Sequence, residues 1–297
     1  MNCIQQTQGN NFSLFNGDCV EVISGLPDRS VDYSIFSPPF ASLYTYSNSP
    51  RDMGNVRNDE EFFEHFDYLV EQLARVMKPG HNVSFHCMLM PTSKERDGYI
   101  GLKDFRGDLI RAFQKHGFIY ASEVCIWKDP VTSMQRTKAL GLLHKTVRTN
   151  ACMSRQGIPD YLVTMRAPGE MVDKVTHTPE QYPVDKWQKV ASPVWMDINQ
   201  SNTLQKESAR ENDDERHICP LQLDVIERAL QLWTNPGDIV LSPFMGIGSE
   251  GYKALEMGRR FVGIELKESY YNTATNNLKI ASNRQDQATL FNESGVI

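Results

Sequence analysis

The chain of 297 residues reads as an α/β fold on a mostly parallel sheet, and three observations predict it. Residues 31–36 and 238–241 are short apolar runs that end in turns rich in proline or glycine. Residues 260–264 form a third such run, separated from the second by a helical segment at about 249–257 that Gly258 ends. Short apolar runs alternating with helical ones are the pattern of buried parallel strands joined by crossovers.

The first strand, Val31 to Phe36, leaves Ser37 at its carboxyl end, where open α/β sheets place their ligands. Ser37-Pro38-Pro39-Phe40 offers a hydroxyl, two prolines that remove N–H donors, and an aromatic face. Rich in acceptors and poor in donors, it suits an exocyclic amine. Ser37 Oγ and the Pro38 carbonyl would accept the two amine protons while Phe40 stacks on the ring, stabilising positive charge that develops on the nitrogen. In isolation the segment reads more simply as a proline turn closing a strand.

The second strand leads into Ser242-Pro243-Phe244-Met245-Gly246-Ile247-Gly248-Ser249, a glycine turn that lets a ligand approach the backbone. The third ends at Glu265, near the roughly 20-residue offset at which an acidic group meets ribose hydroxyls in nucleotide-binding β-α-β units. Strand, glycine turn, helix, strand and acid together point to a nucleoside-containing cofactor. The P-loop Lys-Ser/Thr pair is absent, which disfavours ATP.

On these segments the chain resembles the amino-methylating DNA methyltransferases that use S-adenosylmethionine, in the group whose catalytic motif precedes the cofactor motif. Ser37 to Phe40 match its Asp/Asn/Ser-Pro-Pro-aromatic tetrapeptide, and Ser242 to Gly248 match Asp-Pro-Phe-x-Gly-x-Gly with serine in place of the usual aspartate. The resemblance implies a Rossmann-like methyltransferase sheet with an inserted target-recognition region. It also implies that Asn16-Gly17-Asp18-Cys19 lies by the cofactor's adenine; Asp18 would accept from its amino group, or serve only as a helix N-cap. The resemblance continues through an amphipathic helix at 62–79, strands at 82–87 and 117–127, Trp127-Lys128, and Pro220 in the first turn of a helix before the cofactor motif.

Catalytic residues are thus expected at Ser37, Pro38, Pro39 and Phe40. Cofactor-binding residues are expected at Asp18, Cys19, Pro220, Ser242, Phe244, Gly246, Gly248 and Glu265. The division expected is a catalytic half over 1–130, recognition insertions over 131–216 around a scaffold strand at 160–166, and a cofactor half over 217–297.

Composition bounds the partners. A net charge of −6 argues against a generally DNA-seeking surface, so a basic face must be local. Residues 131–159 carry Arg136, Lys138, Lys145, Arg148 and Arg155 with no acidic residue, interleaved with Ser, Thr, Gln and Asn; this segment is the expected contact to double-stranded DNA. Trp187 and Trp195 read as core anchors of the recognition region, and the acidic run ending at Arg216 as a solvent face. The 6 cysteines have no C-x-x-C pair or zinc spacing, so no metal site is expected. The Gln- and Asn-rich opening reads as a loose arm without the apolar core of a signal peptide, and a cytoplasmic protein is expected.

The function expected from the resemblance is site-specific transfer of methyl from S-adenosylmethionine to a flipped base, cytosine N4 before adenine N6, because serine in the tetrapeptide is usual for cytosine. A homodimer and a cognate restriction enzyme are compatible partners. Methylation of an RNA or protein amide, and a DNA-binding module without cofactor affinity, are the competing readings.

Overall fold

In a computed structural model of the chain, the residues described are 3–39, 53, 59–137, 140–204 and 220–293. Strands β1 (Gln5–Gln8), β2 (Phe12–Asn16) and β3 (Val31–Phe36) enclose helix α1 (Cys19–Ser24). Helix α2 (Asp59–Val76) leads into β4 (Met77–Met88), a small hairpin of β5 (Met90–Pro91) and β6 (Leu102–Lys103) around α3 (Lys94–Asp97), then α4 (Phe105–Lys115) and β7 (Ile119–Ile126). Short helices α5 (Pro130–Thr137) and α6 (His144–Thr149) precede β8 (Asp160–Arg166), and α7 (Val184–Val190) precedes β9 (Val194–Trp195). The chain closes through α8 (Leu223–Trp233), β10 (Ile239–Ser242), α9 (Ser249–Glu256), β11 (Arg260–Glu265) and α10 (Glu268–Glu293).

Among the described residues, all of these strands but β5 and β6 form one nine-stranded sheet in the order β1-β2-β11-β10-β3-β4-β8-β7-β9. The five strands from β2 to β4 run parallel, and β8 lies antiparallel between β4 and β7. From the adjacent strands β3 and β10 the chain crosses outward in opposite directions, to β4 and to β11. The β3/β10 seam is therefore the topological switch point, where a crevice opens at the carboxyl ends of the strands.

Both faces of the sheet are covered, as a parallel sheet requires. One apolar cluster joins the inner faces of α1, α2 and α4 to Phe36, Phe85 and Leu241; the other joins α8, α9 and α10 to Tyr33, Val240 and Phe261. Helix α2 buries Phe62, Phe66, Leu69, Val70 and Leu73, a helical-period stripe whose side chains each contribute about 1.5–3 kcal/mol on burial.

Four expectations are corrected. The opening segment is not a loose arm: Gln5 to Gln8 pair antiparallel with β2, and Thr7 shares a hydrogen bond with Tyr271 on α10. Helix α2 stops at Val76 instead of reaching Pro79, because proline disfavours helical conformation in the residue before it and offers no N–H. Pro220 does not occupy a first helical turn; Leu221 is buried against the core, extended Gln222 is the N-cap, and α8 begins at Leu223. Of the two tryptophans only Trp195 is a core anchor, at 1% exposure, with Nε1 donating to the Val190 carbonyl; Trp187, on the short helix α7, is 53% exposed. No described helix is long and apolar enough to cross a membrane.

Candidate active site

The carboxyl ends of β2, β11, β10, β3, β4 and β7 share one edge of the sheet, and the antiparallel β8 brings its first residue, Asp160, to that edge opposite Met88 and Ile126. The register Val240↔Tyr33 and Leu241↔Ser34 places the Ser-Pro-Pro segment beside the glycine turn. Phe36 and Phe244 meet across the seam at 5.7 Å between ring centroids. The two segments singled out in the sequence are therefore neighbours. Phe40 lies outside the described residues.

The glycine turn is held from below by Met245 N–H donating to the Ile264 carbonyl and by Asn277 Nδ2 donating to the Ile247 carbonyl. Gly246 and Gly248 have φ of 52° and 88°, values that glycine adopts without a Cβ penalty. A Cβ on Gly248 would stand 2.7 Å from Leu278 on α10, whereas one on Gly246 would enter open space. Gly248 thus lets α10 close on α9, and Gly246 faces a space available to a ligand.

Glu265 ends β11 with its carboxylate over this turn, one oxygen accepting from Gly246 N–H and the other from Lys267 N–H, each at 2.9 Å. A carboxylate has about four lone-pair sites, enough to accept from hydroxyl groups as well. Asn16 and Gly17 donate to the Glu265 carbonyl and fix that strand end. Asp18 is the N-cap of α1, its Oδ1 accepting from the Val20 and Glu21 N–H groups. The Cys19 side chain packs in the core, and burial, then the Asp18 charge, pushes its thiol well above the ordinary range, leaving the backbone as its polar face. Ser242 and Ser249 each carry a buried hydroxyl with no hydrogen-bond partner among the described residues. Half-buried Pro220 lies ahead of α8.

Two further residues at this edge, His86 and Asp160, were given no role by the sequence, and they join Ser37 to Lys128. Ser37 Oγ lies 3.2 Å from His86 Nδ1 near the end of β4. His86 Nε2 stands 3.1 Å from Asp160 Oδ2, and Lys128 Nζ lies 2.5 Å from Asp160 Oδ1. Asp160 is fully buried; burial would raise its pKa, but His86 and Lys128 beside it outweigh that and hold the carboxyl below the usual range.

Of the residues expected at DNA, Lys145 and Arg148 are exposed on α6, and Arg155 is half-buried with its guanidinium on the Gln156 carbonyl. Arg136 falls in α5, its side chain not described, and Lys138 lies outside the described residues. Helix α5 begins two residues beyond Lys128, so this segment leaves the sheet at the same edge as Ser37.

A family model described as DNA methylase, of the N6/N4 type, matches residues 31–276. Over 283 residues the chain is 26% identical to the type II methyltransferase M.BglII of Bacillus subtilis, spanning 94% of this chain and 71% of that one. Over 278 residues it is 23% identical to the DNA adenine methyltransferase YhdJ of Escherichia coli K12, spanning 91% and 83%. Among solved structures, TTHA0409 of Thermus thermophilus, described as a DNA modification methylase and complexed with S-adenosyl-L-methionine, superposes with a TM-score of 0.69 at 21% identity over 91% of this chain and 93% of that one. The PvuII cytosine-N4-specific DNA methyltransferase does so with a TM-score of 0.67 at 16% identity over 96% of each. At such identities these superpositions establish the fold. The chain belongs to the N6/N4 DNA methylase family, and it is an S-adenosylmethionine-dependent DNA amino-methyltransferase.

The site fits that cofactor. Glu265 suits ribose hydroxyls, and the open side of Gly246 lets a ligand lie against the backbone. The Ser242 and Ser249 hydroxyls, buried and without a partner among the described residues, are polar groups whose hydrogen bonding a bound cofactor would complete.

Proposed function

We propose that the chain methylates N4 of cytosine within a specific double-stranded DNA sequence, as the modification partner of a restriction enzyme. The observation that carries the choice of base is Ser37, an uncharged hydroxyl at the crevice where other members of the family carry aspartate. When bound, S-adenosylmethionine would supply the methyl group as an electrophilic sulfonium, the thioether being the leaving group for attack by the nitrogen lone pair. Ser37 Oγ and the Pro38 carbonyl accept the amine protons, which keeps the lone pair on nitrogen and stabilises its developing charge. Phe40 is assigned the stacking contact to the flipped ring, worth on the order of 1–3 kcal/mol and partly offsetting the unstacking. Asp18, Cys19, Pro220, Ser242, Phe244, Gly246, Gly248 and Glu265 are assigned to the cofactor. Arg136, Lys138, Lys145, Arg148 and Arg155 are assigned to DNA. Adenine N6 is the second reading, favoured by the likeness to YhdJ, whose name states adenine.

Incubation with unmethylated mixed-sequence DNA and the cofactor, digestion to nucleosides and mass spectrometry decide the base. N4-methyldeoxycytidine is expected; N6-methyldeoxyadenosine in its place would overturn the cytosine assignment. Ser37→Ala is expected to reduce turnover by roughly 100-fold with cofactor affinity retained. Glu265→Ala is expected to weaken cofactor binding by roughly 10- to 100-fold, the worth of hydrogen bonds to a charged group. Near-normal turnover by folded Ser37→Ala protein would remove the amine-activating role.

A further inference from the structure

The chain of contacts from Ser37 through His86 to Asp160 and Lys128 runs inward from the place assigned to the target amine, and the amino-methylation as described does not use it. Its order assigns a direction to each contact when the His86 ring is neutral. An ionised Asp160 can only accept, so the proton of a neutral His86 ring belongs on Nε2, which faces it at 3.1 Å. Nδ1 is then an acceptor, and the 3.2 Å contact has Ser37 Oγ–H donating to it. The Nε2 approach lies off the line of a hydrogen bond, as such contacts often do before substrate binds. Lys128, on the other carboxylate oxygen, keeps Asp160 from withdrawing the imidazole proton.

We infer that His86, oriented by Asp160 and Lys128, is a positioning residue that makes Ser37 the first member of a proton relay leading out of the active site. This rests on the methyl-transfer reading above. With its hydroxyl proton directed at Nδ1, Ser37 turns oxygen lone pairs toward the amine. A methylated amine carries one proton too many. That proton passes from nitrogen to Ser37 Oγ as the Ser37 proton passes to His86 Nδ1, so that the hydroxyl is regenerated and the positive charge ends on the imidazole. Asp160 stabilises that imidazolium, and release of its proton to water restores the site. From β3 the ring meets Ser37, from β8 Asp160, and beyond Asp160 the Lys128 ammonium that follows β7; among the described residues it makes no other ion pair.

The logic is that of a serine whose proton is taken by an imidazole held in one tautomer by a buried carboxylate. Here, however, the attacking atom is the substrate's nitrogen and the serine only conducts. His86→Asn is an informative variant because the amide places an acceptor where Nδ1 was but cannot take a proton at these pH values. Asp160→Asn tests the tautomer separately.

The experiment is single-turnover methylation of substrate DNA by enzyme preloaded with S-adenosylmethionine, across pH 5 to 9 on the span in which histidines change charge. Wild type, His86→Asn, His86→Ala, Asp160→Asn, Ser37→Ala and the Ser37→Ala/His86→Ala double variant are compared, with cofactor affinity measured by calorimetry on each. The wild-type rate is expected to fall on acidification with a one-proton slope. The His86 variants are expected to lose roughly 100-fold or more together with that slope, at unchanged cofactor affinity. The double variant is expected to be no slower than Ser37→Ala alone, because removing either member breaks one relay. A His86→Asn enzyme within a few-fold of wild type, a pH slope that persists in it, or losses that multiply in the double variant would each overturn the relay while leaving methyl transfer standing. Wild-type protein that binds cofactor and transfers no methyl to any DNA would overturn both. If Asp160→Asn fails to fold, the His86 variants and the double variant still decide.

Discussion

Glu250 occupies the first turn of α9, where a helix N-terminus ordinarily favours negative charge, yet it is 4% exposed and without an ion-pair partner among the described residues. Burial pushes its carboxyl up to about 8, with the neighbouring Glu265 adding to the rise. Between the ordinary 4.5 and about 8 the native chain therefore holds a proton that the unfolded chain has released. The contribution is fully present below the ordinary value and is lost as pH rises through that window, by at most about 1.4 kcal/mol per pH unit. Urea unfolding of cofactor-free protein from pH 5 to 8 is expected to show this decline in wild type and a flatter profile in Glu250→Gln. Parallel profiles for the two proteins would mean that Glu250 is ionised in the native state.

At the scale of elements, the two glycines of the cofactor turn separate stability from binding. Gly248→Ala drives a Cβ into Leu278 and Ala274 at φ 88°, so a loss of roughly 1–3 kcal/mol in unfolding free energy is expected. Gly246→Ala meets nothing within 4 Å and should cost about 1 kcal/mol, but its methyl enters the space assigned to the cofactor. Denaturation and calorimetry on both variants check this: Gly248→Ala should lose more stability, and Gly246→Ala more cofactor affinity.

This turn was legible in the sequence because strand, glycines, helix, strand and acid lie close together, and β3 was legible for the same local reason. Strand β1 was not, since Gln5-Gln6-Thr7-Gln8 has no apolar alternation and joins the sheet only at its edge through backbone pairing with β2. Nor was the extent of α2 and β4, where an amphipathic pattern runs past the point at which Pro79 forbids the helix. His86 and Asp160 were invisible as a pair because only the antiparallel placement of β8 beside β4 brings them together, and no local pattern encodes which strand a segment will join.

For the whole molecule, a net charge of −6 makes long-range attraction to DNA unfavourable, and the acid-free segment 131–159, as the proposed DNA contact, would have to overcome it locally. Exposed Lys145 and Arg148 lie three residues apart on α6, which puts both on one side of the helix. Replacing both by alanine is expected to reduce the salt slope of DNA binding by about 2 and to weaken specific and non-specific sites alike. Titrations at several salt concentrations measure this, and an unchanged slope would move the DNA contact elsewhere. The seam at the middle of the sheet has a further consequence. Ser34 Oγ donates to the Leu241 carbonyl and Asp32 Oδ2 accepts from Ile239 N–H, contacts that each bridge 207 residues of sequence. As the chain leaves the ribosome, β3 is made well before β10 and waits for it, exposing an apolar strand edge while the intervening segment is synthesised. Both halves of the crevice then come into being together, when β10 and β11 join β3 and β2 in the sheet.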